Sequence, residues 1–221
     1  SMTMGLFDGA QRFYAALGKA PWPETKMEAR VLEAHRRVLQ CVPAALLVLV
    51  PRHPERAAEV AALCGRAGFN GRLYSSVRCL GAGDQVVIVD TLGDLAVLYG
   101  LCPVAFVGGS LVGHGGHNPL EAVLAGAAVV TGPRVENFRQ VYEALLEHGA
   151  VRQVETDAEL AQTVIDWLGD ETRRSAAVAA GRRAIDAPSR YGMSVATKAP
   201  SANSTGARTS SSATSFRNSL R

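Results

Sequence analysis

Apolar residues first recur at helical spacing between Glu24 and Gln40, where Met27, Val31, Ala34 and Val38 share one face and the charges of EARVLEAHRR occupy the other. That pattern predicts a surface helix. The next run, ALLVLV at Ala45 to Val50, has no polar break, as expected of a parallel strand covered on both faces, and it stops at PRHPER. Pro54 to Arg66 predicts a second helix, with proline in its first turn and a stop near Gly68. The rhythm then repeats: VVIVD (Val86 to Asp90) before DTLGDLAVLYG, PVAFVGG (Pro103 to Gly109) before a glycine-rich stretch, and AAVVTG (Ala127 to Gly132) before PRVENFRQVYEALLEHG. GAVRQV, Gly149 to Val154, reads as a last strand, ahead of helices at Asp157 to Leu168 and Glu171 to Ile185. Repeated strand, loop and helix predict an open α/β fold, a parallel sheet with right-handed crossovers and helices on both faces. Ligands of such sheets sit outside the carboxyl ends of the strands. Here those ends carry Arg52 and His53, Thr91 to Asp94, Gly108 to Ser110, and Gly132 with Pro133.

The two ends of the chain fall outside this rhythm. Residues 1–23 form an atypical N-terminal segment to which no element is assigned, and 24–188 form the α/β body. Beyond Pro188 the composition turns to Ser, Thr, Ala and Arg without apolar periodicity, so residues 189–221 are expected to be a disordered tail. The tail also changes the reading of charge. It holds five of the basic residues and no acid, which leaves 18 basic and 20 acidic residues elsewhere although the whole chain carries a formal +3. A near-neutral body without a basic, aromatic-interleaved face argues against nucleic-acid binding. The longest apolar run, CVPAALLVLVP, is too short to cross a bilayer, and the first residues contain an acid and no apolar stretch, so a cytoplasmic location is expected. Cys41, Cys64, Cys79 and Cys102 lie far apart with no C-x-x-C pair and are expected to be reduced core thiols.

The chemistry concentrates in VGGSLVGHGGHNPLEA, Val107 to Ala122. Asn118, Pro119 and Glu121 stand in the order of an N-cap, a first-turn proline and a capping-box acid, which predicts a helix from Pro119 to Ala125 opening on the glycines at 108, 109, 113, 115 and 116. A helix mouth fed by flexible backbone attracts anions such as phosphate. The same residues also serve if they only cap a helix, and spacing alone leaves both readings open. The glycines do not fit G-x-G-x-x-G, no Lys-Ser/Thr follows for a P-loop, and Val112 occupies the place where a nucleophile elbow around Ser110 needs glycine. His114 and His117 lack a third ligand nearby, so no metal is expected. In PRHPER, Arg52 follows directly on a buried strand, where it can grip a phosphate or simply pair with Glu55. In DTLGD, Gly93 marks a turn and Asp94 a first helical turn, with capping and nucleotide contact again both open.

Taken together, PRHPER, DTLGDLAVLYG, FVGGSLV, GGHNPLEAV and the following GPR with NF resemble the donor-binding lobe of bacterial 3-deoxy-D-manno-octulosonic acid (Kdo) transferases over about Leu32 to Ile185. The resemblance implies the Rossmann-like C-terminal lobe of a two-lobed GT-B glycosyltransferase that uses CMP-Kdo, with no cofactor and no metal. It implies donor contacts from Pro51, Arg52 and His53, from Leu92, Gly93 and Asp94, from Gly108, Gly109 and Ser110, and from Gly116, His117, Asn118, Pro119, Leu120 and Glu121. Glu121 would reach the ribose hydroxyls, and Arg52 with the glycine-loop amides would address phosphate. A lipid A precursor would be the acceptor, held by an N-terminal lobe that also carries the catalytic base and the membrane association at the inner face of the inner membrane. That lobe has no counterpart in these residues, so this chain by itself is expected to bind CMP weakly and to transfer no sugar. The family's S-T-H-x-G-E loop is also unmatched, the chain reading APWPETKMEARVLEAHRR there, and Asp94 replaces a common glutamate. Two alternatives stay open: a truncated, non-catalytic nucleotide-binding remnant, and a GT-B transferase for another nucleotide sugar.

Overall fold

The computed structural model describes residues 12–18, 25–81, 83–113 and 115–187. Seven parallel strands form one sheet in the order β3-β4-β2-β1-β5-β6-β7. The strands are β1 (Arg12–Gly18), β2 (Ala45–Pro51), β3 (Gly71–Leu73), β4 (Val86–Ile88), β5 (Val104–Val107), β6 (Ala128–Thr131) and β7 (Val151–Gln153). The helices are α1 (Thr25–Cys41), α2 (Ala57–Arg66), α3 (Leu95–Leu101), α4 (Leu120–Ala125), α5 (Arg139–Glu147), α6 (Asp157–Gly169) and α7 (Glu171–Asp186), with single 3-10 turns at Pro54–Arg56, Tyr74–Ser76 and Glu136–Phe138.

Period-two burial explains why β2 has no polar position. Ala45, Leu47 and Leu49 enter a core shared with α1, α2 and α6, while Leu46 and Val48 enter a second core on the opposite face beside α3. β5 divides the same way: Val104 and Phe106 face the first core, Ala105 and Val107 a cluster with α4, α5 and α7. Both faces are therefore covered, as an all-parallel sheet requires. Met27, Val31, Ala34 and Val38 of α1 all enter the first core, as their spacing predicts.

Two strands escaped the sequence reading. β1 lies within residues 1–23, where no element was expected, yet it pairs with β2 from Arg12↔Ala45 to Gly18↔Pro51 and with β5 from Tyr14↔Val104 to Leu17↔Val107. RFYAALG is short, and nothing before it sets a rhythm; its strand character comes from neighbours on both sides. β3 escaped because GRL is three residues long and only partly buried at the sheet edge. The thiols also divide: Cys64 and Cys102 are buried as expected, but Cys41 and Cys79 are exposed, and all four are free. The expected tail at 189–221 lies outside the described residues.

The strand order places the reversal of chain direction at β1, whose neighbours β2 and β5 lead to opposite halves of the sheet. Gly18, Pro51 and the end of β5 stand level in the register, so the loops after β1, β2 and β5 leave the sheet side by side. That is where open α/β sheets hold ligands. The segment 19–24, where the S-T-H-x-G-E loop was sought, lies outside the described residues.

Candidate functional site

A cavity of about 330 Å³ opens at these carboxyl ends, within the range of small-molecule sites. Val50, Pro51, Arg52 and Pro54 supply the wall after β2; Val89, Thr91, Leu92 and Gly93 supply the wall after β4. Leu95 and Tyr99 of α3 form the floor with Phe138, and His117, Asn118 and Glu121 close the side at α4. Seven of the expected residues thus meet around one space: Pro51, Arg52, Leu92, Gly93, His117, Asn118 and Glu121. A second cavity, about 590 Å³ between β7, α6 and α7, contains none of them and lies at the far sheet edge.

Arg52 is exposed and lacks the pairing with Glu55 that sequence allowed; Glu55 instead lies 3.6 Å from His53 Nδ1, and both of those side chains face solvent. A guanidinium at the cavity wall with no carboxylate partner among the described residues is available to an anion. Glu121 sits in the first turn of α4 on another wall, also exposed. Its charge reaches Tyr99, whose hydroxyl is pushed well above the usual tyrosine range, first by burial and then by Glu121. Tyr99 is therefore a protonated donor at any physiological pH.

The cap works with less than was expected. Asn118 Oδ1 accepts from the Leu120 amide at 3.1 Å, and α4 runs only from Leu120 to Ala125, six residues, with Pro119 preceding it. Glu121 makes no return hydrogen bond to Asn118 among the described residues, so its carboxylate is not tied up in a capping box. A helix this short carries a weak dipole. The charge of the site rests mainly on side chains.

The glycine loop departs furthest from expectation. The Gly109 amide points at Met27 Sδ, 2.9 Å away, and the Gly116 amide donates to the Gly109 carbonyl at 3.1 Å. Neither amide is free for a phosphate. Gly108, Gly109, Ser110 and Gly116 are all buried and stand off the cavity lining. Ser110 Oγ donates to the Val107 carbonyl at 2.7 Å and accepts from the Gly132 amide at 2.8 Å, joining the ends of β5 and β6. Gly109 has φ +72°, and a Cβ there would meet the His117 ring at 3.0 Å, so the glycine is what lets His117 fold over the loop. The Tyr142 hydroxyl donates to the His117 carbonyl at 2.8 Å and holds that segment from below. His114 lies outside the described residues.

Asp94 is buried and accepts from Thr91 Oγ1 at 2.7 Å, so it shapes the turn after β4 rather than lining the cavity. Beside it, Asp90 accepts from both the amide and the hydroxyl of Ser75. Pro119 is buried and Leu120 half-buried, both behind the lining. Val50, Pro54, Val89, Leu95 and Tyr99 are lining residues that sequence reasoning missed, whereas Thr91 was already placed at a strand end and Phe138 in the NF motif. Tyr99 could have been found, since it stands one helical turn after Leu95. Phe138 was marked only as part of the NF motif; its place at the cavity follows from the turn Glu136–Phe138 after β6.

Residues 31–184 match the family of glycosyl transferases group 1, and the chain belongs to that family. Its body is the Rossmann-like lobe of a GT-B glycosyltransferase. Within that class it is similar to the 3-deoxy-D-manno-octulosonic acid transferase of Haemophilus influenzae, 39% identical over 138 residues that cover 62% of this chain and 32% of the relative. The enzyme of the same name from Bordetella pertussis is 36% identical over 160 residues, 68% of this chain and 35% of the relative. The chain thus matches about a third of the length of these relatives. Among solved structures, the C-terminal CMP-Kdo binding domain of WaaA from Acinetobacter baumannii superposes with a TM-score of 0.72 at 28% identity, over 79% of this chain and 90% of that one. No described helix is long and apolar enough to cross a membrane.

Proposed function

We propose that this lobe binds the donor CMP-Kdo and presents it for transfer of Kdo to a lipid A precursor in lipopolysaccharide assembly, at the cytoplasmic face of the bacterial inner membrane. The observation that carries the reading is the cavity at the ends of β2 and β4, where Arg52 and Glu121, neither paired with another side chain among the described residues, stand on different walls. One cation for a phosphate and one carboxylate for a vicinal diol are the two polar demands of a nucleotide. Similarity to transferases of 3-deoxy-D-manno-octulosonic acid and to a domain named as CMP-Kdo binding supports CMP-Kdo as the donor.

In this mechanism the acceptor hydroxyl oxygen bonds to the anomeric carbon as the bond from that carbon to the phosphate oxygen breaks, and CMP departs. Arg52 stabilises the charge gathering on the departing phosphate, an electrostatic contribution that grows as the bond lengthens. Glu121 holds the ribose hydroxyls, and Val50, Val89 and Leu92 give the cavity an apolar lining. The proton lost by the acceptor goes to a base that we assign to no residue here. On this reading the described lobe supplies donor binding and leaving-group stabilisation.

Calorimetric titration with CMP, UDP and GDP tests the proposal. CMP is expected to bind in preference to the other two, and Arg52→Ala to weaken it by about 10- to 100-fold, the range for losing one charge-assisted contact. Preference for UDP or GDP would assign the lobe to another nucleotide sugar. No binding of any of the three would overturn the donor-site reading.

A further inference from the structure

The segment that carries Arg52 is fixed from behind by an ion pair that is itself nearly closed to solvent. Arg56 ends the 3-10 turn after β2, and Glu28 lies in the first turn of α1. Arg56 donates to Glu28 Oε1 at 3.0 Å through one terminal nitrogen and to Glu59 Oε2 at 3.1 Å through Nε. The Arg56 side chain is 18% exposed and that of Glu28 only 6%. The pair joins residues 28 apart in sequence, in the segments that follow the neighbouring strands β1 and β2 at the edge where the cavity opens.

Burying two opposite charges gains little net stability, because desolvation cancels most of their attraction. Their geometric effect is not cancelled. A guanidinium held by two carboxylates fixes the orientation of the turn Pro54–Arg56, and Pro54 together with Arg52 forms the cavity wall. Pro54 restricts the backbone between them further, since its ring locks φ. Arg52 has no ion-pair or hydrogen-bond partner of its own among the described residues, so the reach of its guanidinium depends on how this turn holds its backbone.

We infer that Glu28 and Arg56 are positioning residues for Arg52: the buried pair holds the turn after β2 so that Arg52 meets the donor's phosphate. The inference rests on the donor-site reading proposed above. It accounts for a carboxylate buried at the start of α1 that does not line the cavity.

The test is a binding cycle with CMP on the full chain, comparing wild type, Glu28→Gln and the paired change Glu28→Met with Arg56→Met, each with and without Arg52→Ala. The paired change removes both charges together and is expected to leave the thermal midpoint close to wild type, since apolar replacement of a buried pair is commonly tolerated. Both variants are expected to weaken CMP binding by about tenfold when Arg52 is present and to have no effect when Arg52 is already alanine, the coupling of groups that act in series. Unchanged CMP affinity, or an equal loss in both backgrounds, overturns the inference and leaves the donor site standing. Absence of CMP binding by the wild-type chain overturns the donor-site reading itself.

Discussion

His35 makes the stability of this lobe depend on pH in a direction fixed by its burial. It lies on the core side of α1 with no exposed surface, its ring tilted against Phe69 at 5.5 Å between centroids, and its Nε2 2.9 Å from the Gln85 carbonyl. A neutral ring with its proton on Nε2 donates to that carbonyl and ties α1 to the residue before β4. Burial lowers its pKa from 6.5 to about 4, outweighing the Gln85 hydrogen bond, which raises it. Above pH 6.5 the ring is neutral in both the folded and unfolded chains and contributes no pH dependence. Between 6.5 and about 4 the unfolded chain binds a proton that the folded chain refuses, so stability falls as pH falls and levels off once the folded chain also accepts it. At about 1.4 kcal/mol per pKa unit, the whole gap amounts to at most about 3–4 kcal/mol, a large share of a typical domain's stability. Urea unfolding of wild type and His35→Gln at intervals from pH 4 to 7.5 measures it. Glutamine keeps a donor for Gln85 and does not titrate, so the difference between the two proteins is expected to shrink as pH falls, with unchanged m-values. Parallel pH profiles for the two proteins would refute the reasoning.

Two further predictions address the site and its scaffold. A Cβ on Gly132 would stand 2.3 Å from the Ser110 carbonyl oxygen, where only backbone is available to move, so Gly132→Ala is expected to cost about 3 kcal/mol in urea unfolding. A cost below about 1 kcal/mol would show that the β5 and β6 ends are less tightly joined than Ser110's two hydrogen bonds imply. If Glu121 holds the ribose, wild type should prefer CMP over 2′-deoxy-CMP by about tenfold and Glu121→Gln should lose most of that preference. Equal discrimination by both proteins in a competition titration would remove Glu121 from the ribose.

Much of this was legible in the chain. Uninterrupted runs such as Ala45 to Val50 announced strands covered on both faces, because water on either face would have favoured alternation. The spacing of Met27, Val31, Ala34 and Val38 announced the buried face of α1, since 3.6 residues per turn admit no other face. Arg52, Leu92 and Gly93 could be placed at one edge for a related reason, since carboxyl ends of parallel strands converge wherever the sheet forms, while Asn118 and Glu121 stood out as a helix start; all five line the cavity.

What the chain could not reveal was the outcome of competition for partners. The sequence marks the glycines of Gly108 to Gly116 as permissive backbone, but whether their amides face a phosphate or the protein depends on what packs against them. Met27 and the Gly109 carbonyl claim two of them. Asp94 and Ser110 look equally fit for ligand or scaffold until Thr91, Val107 and Gly132 are seen beside them. RFYAALG becomes a central strand only between β2 and β5. Hydrophobic periodicity is a local property, written into the chain by the geometry of helix and strand. Hydrogen-bond partnership is decided between segments as many as 127 residues apart, as Arg30 and Asp157 are, and only the folded structure brings those segments together.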